Sequence, residues 1–153
     1  MKSEDINVYK SFNIYIMMKY LKMFENFNEE DIHAICKKYG IKNYTINDDG
    51  SIDVYNSVHI DSKKLKKLPL KFNKIDGDFY CNCNRLTSLK GCPKEVNGDF
   101  NCFINKLTSL KYCPKEVYGN FTCYSNKITS FDHLPFSIDG EFICGYNPIY
   151  NIW

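Results

Sequence analysis

A motif returns every 21 residues in this chain, with no residue gained or lost between copies. Gly77, Gly98, Gly119 and Gly140 open units that read GDFYCNCNRLTSLKGCPKEVN, GDFNCFINKLTSLKYCPKEVY, GNFTCYSNKITSFDHLPFSID and GEFICGYNPIYNIW. A fixed period of this length predicts a solenoid, in which each unit buries its apolar face against its neighbours. Few other folds tolerate so regular a spacing.

Columns taken across the units define one coil. Phe79, Phe100, Phe121 and Phe142 share a column, and Cys81, Cys102, Cys123 and Cys144 share the column two residues on. Alternation at period two predicts a short strand with both columns on its inner face. Leu86, Leu107, Ile128 and Ile149 follow, then Leu89, Leu110, Phe131 and Ile152, while Val96, Val117 and Ile138 close each coil. Stacked, these columns make one continuous core.

Three polar columns read as structural. The glycines that open each unit suggest a positive φ and a tight turn. Pro93, Pro114 and Pro135 mark an extended return segment. Asn84, Asn105, Asn126 and Asn147 stand between an inward cysteine and an inward Leu, Ile or, in the last unit, Ile149. An amide there can satisfy backbone groups as the chain leaves the strand.

The frame F-x-C-x-x-N-x-L-x-x-L resembles the leucine-rich repeat pattern. Its proline-containing return resembles the short bacterial subclass with one extra residue per coil. The CPKEV and NKLTSL strings are similar to those of uncharacterised repeat proteins of phages and large DNA viruses. The resemblance covers about Thr45 to Trp153. It implies a leucine-rich-repeat-like parallel sheet of about five short strands. It brings no catalytic residues with it, and a viral source would imply the host cytoplasm. The departures are Phe and Cys where Leu is commoner, and Phe131 in a Leu column.

The chain reads as one continuous structural domain, with residues 1–55 a helical and hairpin cap and 56–153 the solenoid. Val8 to Phe27 predicts a helix, in one piece or two, with apolar residues over much of its circumference. MKYLKMFENF reads as a start in its own right, so residues 1–17 are either native or an extension. A second helix is marked by Asn28 as N-cap, three acids in its first turn, Lys37 and Lys38 in its last, and Gly40 beyond. Its apolar face is Ile32, Ile35, Cys36 and Tyr39. It reads as a cap over the open end of the core, with a partner-binding helix as the alternative. Tyr44–Ile46, a turn at Asn47–Gly50 and Ser51–Tyr55 predict a hairpin. Its aspartates lack the spacing and distal Glu of an EF-hand. Residues 56–76 align as a degenerate first coil, with Val58 in the Phe column and Ile60 in the Cys column.

Eight cysteines in a chain with no C-x-x-C pair argue for reduced, packed thiols rather than disulfides or zinc. A net charge of +2 and a single basic run at Lys63–Lys67 are a poor footprint for nucleic acid. No stretch reads as a membrane span or a signal peptide. His33, His59 and His133 fall in unrelated columns, and no nucleophile elbow, P-loop or HExxH string occurs. We therefore expect no enzymatic activity, no catalytic or metal-binding residues, no cofactor and a cytoplasmic, monomeric protein.

The outward strand columns remain. They are Ser57, Asp78, Asp99, Asn120, Glu141; His59, Tyr80, Asn101, Thr122, Ile143; and Asp61, Asn82, Phe103, Tyr124, Gly145. Acids lie beside aromatics, a mixture suited to a protein partner of basic character. His59, Asp78, Tyr80, Asp99, Phe103 and Tyr124 are the candidate partner-binding residues. The alternative is an assembly element that self-associates through its last coil, around Ile149, Ile152 and Trp153.

Overall fold

A computed structural model describes residues 28–149; the helix predicted at Val8–Phe27 and the end at Ile152 and Trp153 lie outside the described residues. Helix α1 (Glu29–Tyr39) forms between the expected caps. Asn28 Oδ1 accepts from the Asp31 N–H at 2.8 Å, and Gly40 ends the helix in the left-handed region at φ 69°. Ile32 and Cys36, one turn apart, are its buried residues.

Strands β1 (Tyr44–Ile46) and β2 (Ile52–Val54) pair antiparallel across the turn at 47–50. The turn is held by Asp49, whose Oδ1 accepts from the Ser51 N–H at 3.0 Å. β2 then pairs parallel with β4 (Phe72–Ile75), so the hairpin is continuous with the array.

From there the chain winds between two sheets in which every pairing except β1–β2 is parallel. One carries β3 (Val58–His59), β5 (Phe79–Tyr80), β7 (Phe100–Asn101), β9 (Phe121–Thr122) and β11 (Phe142–Ile143), paired in that order. We call it the front sheet. The back sheet runs β1, β2, β4, then β6 (Glu95–Val96), β8 (Glu116–Val117) and β10 (Ser137–Ile138). Registers step by one repeat, as in Phe79 opposite Phe100 and Val96 opposite Val117. The architecture is a parallel β-solenoid.

The core lies between the sheets. Phe79, Phe100 and Phe121 are fully buried, with ring centroids 5.8 and 5.0 Å apart in sequence. Cys81, Cys102, Cys123, Leu86, Leu89, Leu107, Leu110 and Ile128 fill the rest. Burying one such large side chain contributes about 1.5–3 kcal/mol, so repetition rather than any single contact holds the coil.

The back sheet is a correction to the single sheet expected from sequence. The return segments are not merely extended; they form a ladder, with Lys94 N–H to Asn73 O at 2.7 Å, Lys115 N–H to Lys94 O at 2.8 Å and Tyr118 N–H to Val96 O at 3.0 Å. The prolines sit just ahead of these two-residue strands, where a missing N–H costs no ladder bond.

The asparagine column is buried and bonded to backbone. Asn105 Nδ2 donates to the carbonyls of Cys81 and Cys102, both at 3.1 Å, and its Oδ1 accepts from the Leu86 N–H at 2.9 Å. Asn126 repeats the pattern with Cys102 O, Cys123 O and Leu107 N–H, and Asn147 with Cys123 O, Cys144 O and Ile128 N–H. Each amide thus staples its own coil to the one before.

The glycine column needs a different explanation from the one its composition suggests. Gly98, Gly119 and Gly140 are not at positive φ, and Gly77, at φ 159°, is nearly extended. Glycine is required by close approach: a Cβ on Gly119 would lie 2.6 Å from the carbonyl carbon of Gly98 and 2.7 Å from its oxygen. The stacked glycines hydrogen-bond directly, Gly119 N–H to Gly98 O at 3.0 Å. Positive φ falls instead in the column Ser62, Cys83, Ile104, Ser125, Tyr146, where the chain leaves the front sheet. Ile104, at φ 50°, carries a β-branched side chain in a region that costs about 1–2 kcal/mol.

Candidate docking face

Three side-chain columns point out of the front sheet, and no lysine or arginine stands in any of them. The first is a structural ladder. Asp78 Oδ1 accepts from the Asp99 N–H at 2.8 Å, Asp99 Oδ1 from the Asn120 N–H at 2.7 Å, and Asn120 Oδ1 from the Glu141 N–H at 2.8 Å. Ser57 begins the series, its Oγ accepting from the Asp78 N–H at 3.0 Å. Asp78 and Asp99 therefore brace the sheet as well as charging it.

In the second column His59 and Tyr80 stack, 4.8 Å between centroids and 8° from parallel. His59 stays well exposed. The Tyr80 hydroxyl donates to Asp78 Oδ2 at 3.4 Å. Burial, then the negative charges of Asp78 and Asp99, push the Tyr80 phenol above its ordinary pKa. Asn101 and Thr122, below it, are buried between their neighbours, although they point outward.

In the third column Phe103 and Tyr124 stack at 4.7 Å and 7°. Both are half-buried. Above them come Asn82, 9% exposed, and Asp61. The six residues singled out from sequence thus share one face as two aromatic stacks and an acidic row. Asn82 was in the same column, but nothing in its residue type distinguishes it from a surface asparagine.

The back sheet offers less. A shallow cleft of about 270 Å³ is lined by Asp53, Val54, Tyr55, Lys74, Asp76 and Asn97. Its polar groups are mutually engaged: Asn73 Nδ2 donates to Asp53 Oδ1 and Asn97 Nδ2 to Asp76 Oδ1, both at 2.7 Å, and Lys74 pairs with Glu95 at 2.6 Å. Among the described residues no group of three His, Cys, Asp or Glu side chains is placed to hold a metal ion. None of the described helices is long and apolar enough to cross a membrane.

All described cysteines are free thiols, and most are packed in the core. Burial pushes Cys113 up to about 12, and raises Cys102 and Cys123 as well. Thiol reagents attack the thiolate, so native protein at pH 8 is expected to label first at half-buried Cys83, with Cys102 and Cys123 protected until denaturant is added. Peptide mass mapping of a labelling time course checks this. Rapid modification of Cys102 and Cys123 would overturn the inward assignment of their column.

Compared with protein-family models, with curated proteins and with solved structures, the chain finds no match in any of the three.

Proposed function

We propose that the front sheet is a protein-docking surface and that the chain is a non-catalytic interaction module. The observation that carries this is the composition of the face: two parallel aromatic stacks beside an acidic row, with no lysine or arginine in its columns. Tyrosine and phenylalanine supply contact area at low entropic cost, and the uncompensated acids favour a basic partner. The leucine-rich-repeat-like frame supports the same reading, because such arrays present their strand face to partners. Phe103→Ala with Tyr124→Ala is expected to abolish partner capture from a lysate while leaving the melting temperature within a few degrees of the parent. Undiminished capture by the folded double variant sinks the assignment.

A second reading rests on the last described coils. Leu134 is 40% and Phe136 83% exposed, whereas Cys92, two repeats earlier in Leu134's column, is 8% exposed. Self-association there would raise the mass seen by light scattering as the protein is concentrated.

A further inference from the structure

Asn82 is the one described residue with a buried side-chain oxygen or nitrogen lacking any hydrogen-bond partner. Its Oδ1 is the orphan. Its Nδ2 has a single weak neighbour, Cys83 Sγ at 3.5 Å. Every asparagine of the neighbouring structural column spends both ends of its amide on backbone, so the contrast within one coil is sharp. Buried acceptors are rarely left unpaired without a reason.

The surroundings of Asn82 indicate what would complete it. The Ser62 N–H donates to Asn82 O at 3.1 Å and the Cys83 N–H to Phe103 O at 3.0 Å. These bonds hold Asp61, Asn82 and Phe103 in register on successive coils, about 4.8 Å apart. Asp61 keeps 37% of its side chain exposed, and its nearest cationic candidate, His59 Nδ1, is 4.0 Å away. Phe103 is held flat against Tyr124. A carboxylate, an unpaired amide oxygen and an aromatic plane therefore follow one another along the column.

From this juxtaposition we propose that Asp61, Asn82 and Phe103 form a slot for an arginine side chain of an extended peptide. The guanidinium pairs with the Asp61 carboxylate and lies against the Phe103 ring, and the Asn82 amide, whose Oδ1 is closed to solvent in the free chain, turns outward to accept one of its N–H groups. A planar fork of several donors fits three such neighbours in a row better than the compact ammonium of lysine. The slot rests on the docking-face reading and gives its basic partner a particular chemistry.

The test uses the full chain and a fluorescein-labelled peptide of alternating arginine and serine. Control peptides carry lysine, or citrulline, which keeps the planar shape without the charge. Anisotropy is expected to show binding of the arginine peptide, weaker binding of the lysine peptide and none of the citrulline peptide. Asn82→Leu is expected to weaken the arginine peptide about tenfold, the scale of one lost hydrogen bond to a charged group. It is also expected to melt at or above the parent, because it removes an unpaired buried acceptor, so the loss is not one of folding. Asn82→Asp is expected to bind more tightly. Equal binding by Asn82→Leu, equal binding of the citrulline peptide, or no binding of the arginine peptide overturns the slot. In that event Phe103→Ala with Tyr124→Ala in the lysate capture decides the larger reading: lost capture leaves the docking face standing, and unchanged capture removes it too.

Discussion

Asn105→Ala is expected to melt about 10 °C below the parent. The side chain serves the Leu86 N–H and the carbonyls of Cys81 and Cys102, all deep in the array. A buried backbone group left without its partner costs about 1–3 kcal/mol. A total of about 3 kcal/mol, at roughly 2–4 °C for each kcal/mol in a chain of this size, gives the shift. Against a net stability of about 5–15 kcal/mol, that loss is large. Asn105→Asp should not rescue it, because a carboxylate accepts but cannot donate to two carbonyls. Asn147→Ala is expected to fall less, since Asn147 lies in the last described coil and Asn105 has coils stacked on both sides. Paired thermal melts decide the matter. A parent-like Asn105→Ala would mean that the column is not structural.

Gly119→Ala is expected to be as damaging, for a steric reason. The added methyl meets Asp99 Oδ1 and the Gly98 carbonyl, at 2.6 Å from its carbon and 2.7 Å from its oxygen. The Asp99 side chain can turn away, though it would give up its bond to the Asn120 N–H. The Gly98 backbone cannot, because it is fixed by the Gly119 N–H itself. The two coils must separate at this corner, at about 3 kcal/mol by comparison with other overpacked sites. Gly145→Ala is the matched control: nothing lies within 4 Å of its added Cβ, and it is expected to melt with the parent. Denaturant titration of the two variants gives the comparison. Equal stability of Gly119→Ala and the parent would remove close packing as the reason for the column.

How much of this was legible in the sequence depended on whether a column's chemistry matched its job. The Phe, Cys and Leu columns announce themselves because burial selects apolar residues at fixed offsets. The asparagine column was legible because its position, between an inward Cys and an inward Leu, leaves little else for an amide to do. The back sheet was not, since its repeat strands β6, β8 and β10 are two residues long and each offers one inward residue, such as Val96 in Glu95–Val96. A period of two cannot be read from a single residue. The left-handed column was hidden because Ser62, Cys83, Ile104, Ser125 and Tyr146 share no property, and the neighbouring glycines offered a more obvious candidate. On the docking face, the acids and aromatics were visible as types. The bracing role of Asp78 and Asp99 and the orphaned oxygen of Asn82 exist only once neighbouring coils are in register.

The asparagine staples also give the array a time order. Leu86 N–H waits for Asn105, Leu107 N–H for Asn126, and Ile128 N–H for Asn147. The aspartate ladder waits in the same sense, because the Asp78 carboxylate has no Asp99 N–H to accept from until the following coil is in place. A ribosome delivers the N-terminal coil first. Each coil therefore emerges with open bonds on its trailing side and is sealed by the next 21 residues to appear. Closure propagates behind the exit tunnel one turn at a time, and a stalled chain is left with a single unsealed rim, whatever its length.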